Sequence, residues 1–115
     1  MKNFKEAFVN LEKPWDRMEI MNVVTMSCLS CEPEMKEVVA IEECSELQKE
    51  LTKMLRKEGN TYNLLEEMAD VSLVLLMLQR IHGFTDEDMA KAMTIKARRE
   101  EQRYSQFFRE PYDAK

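Results

Sequence analysis

The chain has almost none of the residues that interrupt helices. Its 115 residues include 2 glycines and 3 prolines, and long stretches contain neither. That scarcity argues against turn-rich β architectures and for an all-helical protein. Aromatic residues make up only 8%, so the core has to be built from Leu, Met, Val and Ile, with 10 methionines available. Long apolar runs are missing too. The longest, Val71–Leu78 with Ser72 as its one polar member, is far short of the roughly 18 residues a membrane span needs. Met1–Asn10 is charged and has no apolar stretch of the kind an export leader carries. Cysteine is scarce and odd in number, 3 in all, which points to reduced thiols and a cytoplasmic setting. A positive balance is absent as well. The net charge of −5 argues against a surface for polymeric nucleic acid but leaves room for a free nucleotide whose phosphates arrive with a cation.

What remains is a helical pattern. At this length one domain with one core is expected, spanning 1–115. Phe4, Ala7, Phe8 and Leu11 recur at i, i+3, i+4 and i+7, which predicts a short amphipathic helix before Pro14. A second helix is expected from Asp16 to about Met26, followed by a loop over 27–33. Pro33 suits the first turn of a long helix reaching about Lys57, with Gly59 and Asn60 as its C-terminal cap. The next helix is expected to start near Asn63, with Glu66 at the third helical position, and to end at Gly83. Thr85, followed by Asp86, Glu87 and Asp88, opens a last helix that reaches about Arg109, before Pro111. The expected architecture is an antiparallel all-α bundle of four to five helices.

Between Glu42 and Asp70, acids sit on segments otherwise suited to a core. At 100° per residue, Ala40, Cys44, Leu47, Leu51 and Met54 share the expected core face of their helix. Val39, Glu43, Glu46 and Glu50 form the stripe on its shoulder, and Glu42 turns toward solvent. Glu43 and Glu46, three apart, are expected to point jointly into a cleft. On the following helix, Leu64, Leu65, Met68, Val71, Leu73–Leu78 and Ile81 cover nearly the whole circumference, the pattern of a buried central helix. Glu67 and Asp70 lie within that surround. Burying an unpaired carboxylate costs roughly several kcal/mol, so a cation or strong donors must compensate. Four oxygen donors suit Mg2+ or Mn2+, whereas salt bridges to Lys or Arg are the competing explanation. A di-iron site is excluded because it needs Glu-x-x-His pairs, and the single histidine, His82, has Gln79 three residues before it.

Glu42, Glu43 and Glu46 in an EExxE pattern, followed by Glu67 and Asp70 in an ExxD pattern, resemble the all-α nucleoside triphosphate pyrophosphatase superfamily, the MazG-like proteins and their relatives. The resemblance covers about residues 33–104. It implies a Mg2+-dependent hydrolase that releases a nucleoside monophosphate and pyrophosphate, and that works as a homo-oligomer, a dimer or tetramer. It implies Glu43, Glu46, Glu67 and Asp70 as metal ligands. Family members often carry a later Lys, an Asn four residues on and an Arg three further. Lys96 and Arg103 fit that pattern, and Glu100 stands where Asn would be.

Lys96 and Arg103 share one stripe of the last helix with Met89, Met93 and Phe107. Their expected role is to take charge on the departing pyrophosphate, and their competing role is to pair with the acids of the cleft. Glu46 or Glu42 is the expected group to orient the attacking water. Trp15, between Pro14 and Asp16, is a candidate for stacking on a base, against the alternative of a core or interface anchor. Cys28 and Cys31 make half of a zinc pattern without a second half and are read as ordinary. The rival function is a catalytically silent helical oligomer that binds nucleotide or metal, or serves as a scaffold.

Overall fold

The computed structural model describes residues 3–113, with side chains as far as Phe107. Five helices and no strand occur among the described residues: α1 (Phe4–Asn10), α2 (Arg17–Leu29), α3 (Pro33–Leu55), α4 (Thr61–Ile81) and α5 (Asp86–Asp113). The protein is therefore all-helical, as its composition predicts. None of these helices is long and apolar enough to cross a membrane.

Local chemistry starts each helix. Asn3 caps α1 by accepting from the Glu6 amide at 2.9 Å. Asp16 and Glu19 form a reciprocal capping box at the start of α2. Pro33 opens α3, where its missing amide costs nothing. Thr85 and Asp88 exchange side chain-to-backbone hydrogen bonds of 3.0 and 2.9 Å at the start of α5. Three boundaries differ from expectation. α2 runs on to Leu29, because Ser27, Cys28 and Leu29 include neither Gly nor Pro to stop it. α4 starts one turn early: Asn60, not Asn63, is the cap, and its side chain accepts from the Asn63 amide at 2.9 Å. α5 is helical through Asp113 and carries Pro111 in its last turn, at the loss of one backbone hydrogen bond.

The end of α3 uses a residue the sequence did not single out. Lys57 takes the left-handed conformation, φ 63°. Its amide bonds to the Met54 carbonyl at 3.1 Å, and that of Glu58 bonds to Lys53 at 2.9 Å. This is a Schellman closure. Gly59 serves another purpose, since a Cβ there would lie 2.7 Å from the Met54 sulfur and 3.0 Å from the Met54 nitrogen. Gly83, at φ 74°, occupies the left-handed position after α4, where glycine is expected.

The chain divides into two compact units, residues 1–83 and 84–115. In the first, α4 packs against α1, α2 and, most extensively, α3. Phe8 stacks on Phe4 and meets the ring of Tyr62 edge-on at 5.9 Å, which ties α1 to the first turn of α4. Glu37 near the start of α3 reaches His82 just past the end of α4 at 2.9 Å, so the two long helices run antiparallel. The core is thin: Val24, Ala40 and Val74 are the buried apolar residues among those described. α4 is central in this unit but not enclosed. Met68 is 50% exposed and Leu75 53%, because three neighbours leave one side of an all-round apolar helix uncovered. The second unit is α5 with Phe84 and Thr85 before it.

Candidate metal centre

The inward stripe of α3 differs from the one its apolar residues suggest. Its half-buried and buried positions are Lys36, Val39, Ala40, Glu43, Leu47, Glu50 and Met54. Steps of three and four repeat along it, the spacing of a helix-pair seam. Cys44 and Leu51, expected on the core face, are exposed, and two acids occupy seam positions instead. The phase is rotated toward Glu43 and Glu50, so Glu46 falls outside it.

Across this seam α4 presents Glu67 and Asp70. One carboxylate oxygen from each of Glu43, Glu67 and Asp70 lies within 4.8 Å of the others, and all three residues are half-buried. The pair on α4 is set three residues apart, so both side chains leave the helix on one side. Glu43 stands opposite on α3. A carboxylate triad of this size matches the oxygen-only donor set that Mg2+ and Mn2+ prefer.

The electrostatics show that the acids compete for charge. Burial, then the charge and hydrogen bonding of Asp70, then Glu67 and Glu46, hold the Glu43 carboxyl above its ordinary value. Burial, then Asp70, Glu46, Glu66 and Glu50, do the same to Glu67. The Oε2 atom of Glu67 is buried and accepts no hydrogen bond. No lysine or arginine ion pair involves Glu43, Glu67 or Asp70 among the described residues. The competing explanation, a salt bridge satisfying the α4 acids, therefore has no support in the described side chains. A buried, unsatisfied carboxylate oxygen beside two further acids fits a divalent cation on physical grounds.

The other candidate residues are placed differently. Glu46 is 48% exposed and pairs with Lys49 at 3.3 Å, although it stays near enough for its charge to act on Glu43 and Glu67. It lies on the outer flank of the same side of α3 as Glu43, and its carboxylate is turned to Lys49 and is not among the three that converge. Glu42 is exposed. Lys96 and Arg103 belong to the second unit. Both are exposed, and Arg103 reaches Glu100 at 3.4 Å. Trp15 is 58% exposed and lines a shallow hollow with Leu11, Lys13, Pro14 and Ile20. A groove of about 610 Å3 lies along Glu37, Ala40, Cys44, Gln48, Leu78 and His82 and includes none of the three acids. Cys28 donates weakly to the Met77 carbonyl at 3.8 Å, a contact between α2 and α4.

No protein-family model, curated protein or solved structure matches this chain. The geometry of the acids is what the functional reading rests on. Glu50, seven residues from Glu43 on the same stripe of α3, has no role in the sequence pattern and is buried in the fold.

Proposed function

We propose that the chain is a divalent-cation-dependent hydrolase that splits a nucleoside triphosphate into the monophosphate and pyrophosphate, working as a homo-oligomer. The observation that carries this reading is the approach of Glu43, Glu67 and Asp70 to within 4.8 Å, with one Glu67 oxygen buried and unsatisfied. The EExxE and ExxD patterns supply the reaction class. Glu43, Glu67 and Asp70 would hold the ion. When bound, Mg2+ or Mn2+ neutralises phosphate oxygens and lowers the pKa of a bound water.

The protein's own groups have three tasks. The half-buried triad would set where the cation sits, and with it the triphosphate, because the acids by themselves repel the phosphates. Glu46 or Glu42, both exposed on α3, orients a water toward the α phosphorus and accepts its proton. The water oxygen bonds to the α phosphorus, and the bond from that phosphorus to the α–β bridging oxygen breaks. Pyrophosphate leaves with the electron pair. Lys96 and Arg103 enter the proposal as the basic groups the sequence offers for the leaving charge.

The decisive experiment is a panel of nucleoside triphosphates with Mg2+ or Mn2+, with released pyrophosphate converted to phosphate and counted. Turnover of at least one, abolished by Glu67→Ala and by Asp70→Ala, is expected. Activity that survives in both variants would overturn the mechanism. Cation-dependent thermal stabilisation with no turnover across the panel would mark the chain as a silent binder, and no cation effect would mark it as a scaffold.

A further inference from the structure

We propose that Glu50 is a further carboxylate of the cation cleft, so that the site runs two turns along α3, from Glu43 to Glu50, and is not confined to the EExxE and ExxD acids. The inference rests on the metal-centre reading of the first unit, and it adds a residue which that reading leaves out.

Burial is the first ground. Glu50 is only 8% exposed, the one buried charged residue among those described. Glutamate is almost never buried this far unless it is paired. Its pairing is incomplete: Lys53, one turn along the same helix, donates to Oε2 at 3.2 Å. The other oxygen, Oε1, is sealed from solvent and accepts nothing. The only other side-chain atom in that condition among the described residues is Oε2 of Glu67.

Phase is the second ground. Seven residues return a helix to within about 20° of the same direction, so Glu43 and Glu50 share the seam that faces α4. Glu46 leaves it and pairs with Lys49 in solvent. Glu50 also stands close enough to Glu67 for its charge to act on that carboxyl. Two anionic groups, each with an oxygen that lacks a donor, then share the interface between α3 and α4. Water is shut out from both atoms, and Lys53 is committed to the other oxygen of Glu50. A small oxygen-seeking dication is the ligand class that suits donorless carboxylate oxygens, which it binds at about 2.0–2.6 Å, and Glu50 would extend the site beyond the three acids that converge within 4.8 Å.

The test uses Mn2+ alone, titrated calorimetrically into the full chain, with Glu50→Gln, Glu50→Asp and Glu58→Gln compared with wild type. Glu50→Gln keeps the shape and removes the charge. Glu50→Asp keeps the charge and withdraws the oxygens by one methylene. Glu58→Gln removes an exposed charge that pairs with Arg56 at 3.6 Å, so it reports the general effect of net charge. At least tenfold weaker Mn2+ binding, or the loss of a bound equivalent, is expected in both Glu50 variants and not in Glu58→Gln. Melting in EDTA should show Glu50→Gln at least as stable as wild type, since a half-satisfied buried charge has been removed. Wild-type Mn2+ affinity in both Glu50 variants, an equal loss in Glu58→Gln, or no Mn2+ binding by wild type would each overturn the proposal. A purely structural ion pair with Lys53 predicts a lower melting temperature at unchanged Mn2+ affinity. If Mn2+ binding depends on Glu50 while no nucleotide is hydrolysed, the hydrolase reading falls and this one stands. If nucleotide is hydrolysed while binding ignores Glu50, the reverse holds.

Discussion

Glu67 has one oxygen inside the helix pair with nothing donating to it, and this sets how the metal-free protein should respond to pH. Its carboxyl is held above the ordinary value of 4.5, first by burial and then by Asp70 and the other acids around it. The native state therefore binds that proton more tightly than the unfolded chain does. Linkage then requires stability to fall as pH rises from about 4.5 through the raised value. Glu67→Gln removes the effect. In EDTA at pH 8 it should melt a few degrees above wild type, and the gap should close toward pH 4, where wild-type Glu67 keeps its proton. Equal melting at pH 8 would contradict this account. Glu43, Glu67 and Asp70 were legible in the sequence because acids among apolar residues at i, i+3 have few explanations. Glu46 and Glu50 were not separable in the same way. The expected face was drawn through Cys44 and Leu51 by their apolarity, and the true seam lies a fraction of a turn away. A small rotation of that kind exchanges one glutamate for another.

At the scale of elements, five helices followed from the scarcity of Gly and Pro, and Gly83 ends α4 as the pattern requires. The connection between α3 and α4 was harder to read, since a glycine near a helix end invites the left-handed role by default. Here Lys57 holds that conformation at φ 63°, and Gly59 instead admits the Met54 side chain. Two substitutions separate the roles. A non-glycine residue in the left-handed region carries roughly 1 kcal/mol of strain, partly offset in a glycine variant by its freer unfolded chain. Lys57→Gly should thus stabilise the protein by about 0.5 kcal/mol, read from urea unfolding. Gly59→Ala should cost about 1–3 kcal/mol, the range for forcing a methyl into a filled space. A stabilising Gly59→Ala or a strongly destabilising Lys57→Gly would reverse the assignment.

For the whole molecule, the shortage of buried apolar residues is the dominant fact. Among the described residues Val24, Ala40 and Val74 are the buried apolar ones, while Met18, Leu29, Ile41 and Leu55 are each more than two-thirds exposed. A chain of this length is expected to enclose a substantial core. The apolar surface that α1, α2 and α3 leave open on α4 favours the proposed homo-oligomer. Sedimentation equilibrium should return at least twice the 13.7 kDa chain mass at micromolar concentration. A monomer throughout that range would remove this part of the proposal. The sequence could not reveal the open side of α4: an all-round apolar helix looks the same whether its own chain or another copy covers it.

The short link between α3 and α4 has a kinetic consequence. Glu43 and Glu67 are only twenty-four residues apart in the chain, so the cleft closes through local contacts, the kind that form early because little loop entropy opposes them. Like charges are therefore driven together at the stage of folding when the chain has least else to hold it. A dication present at that moment relieves the repulsion on the way to the native state, and its influence falls on the rate of folding as well as on the final equilibrium.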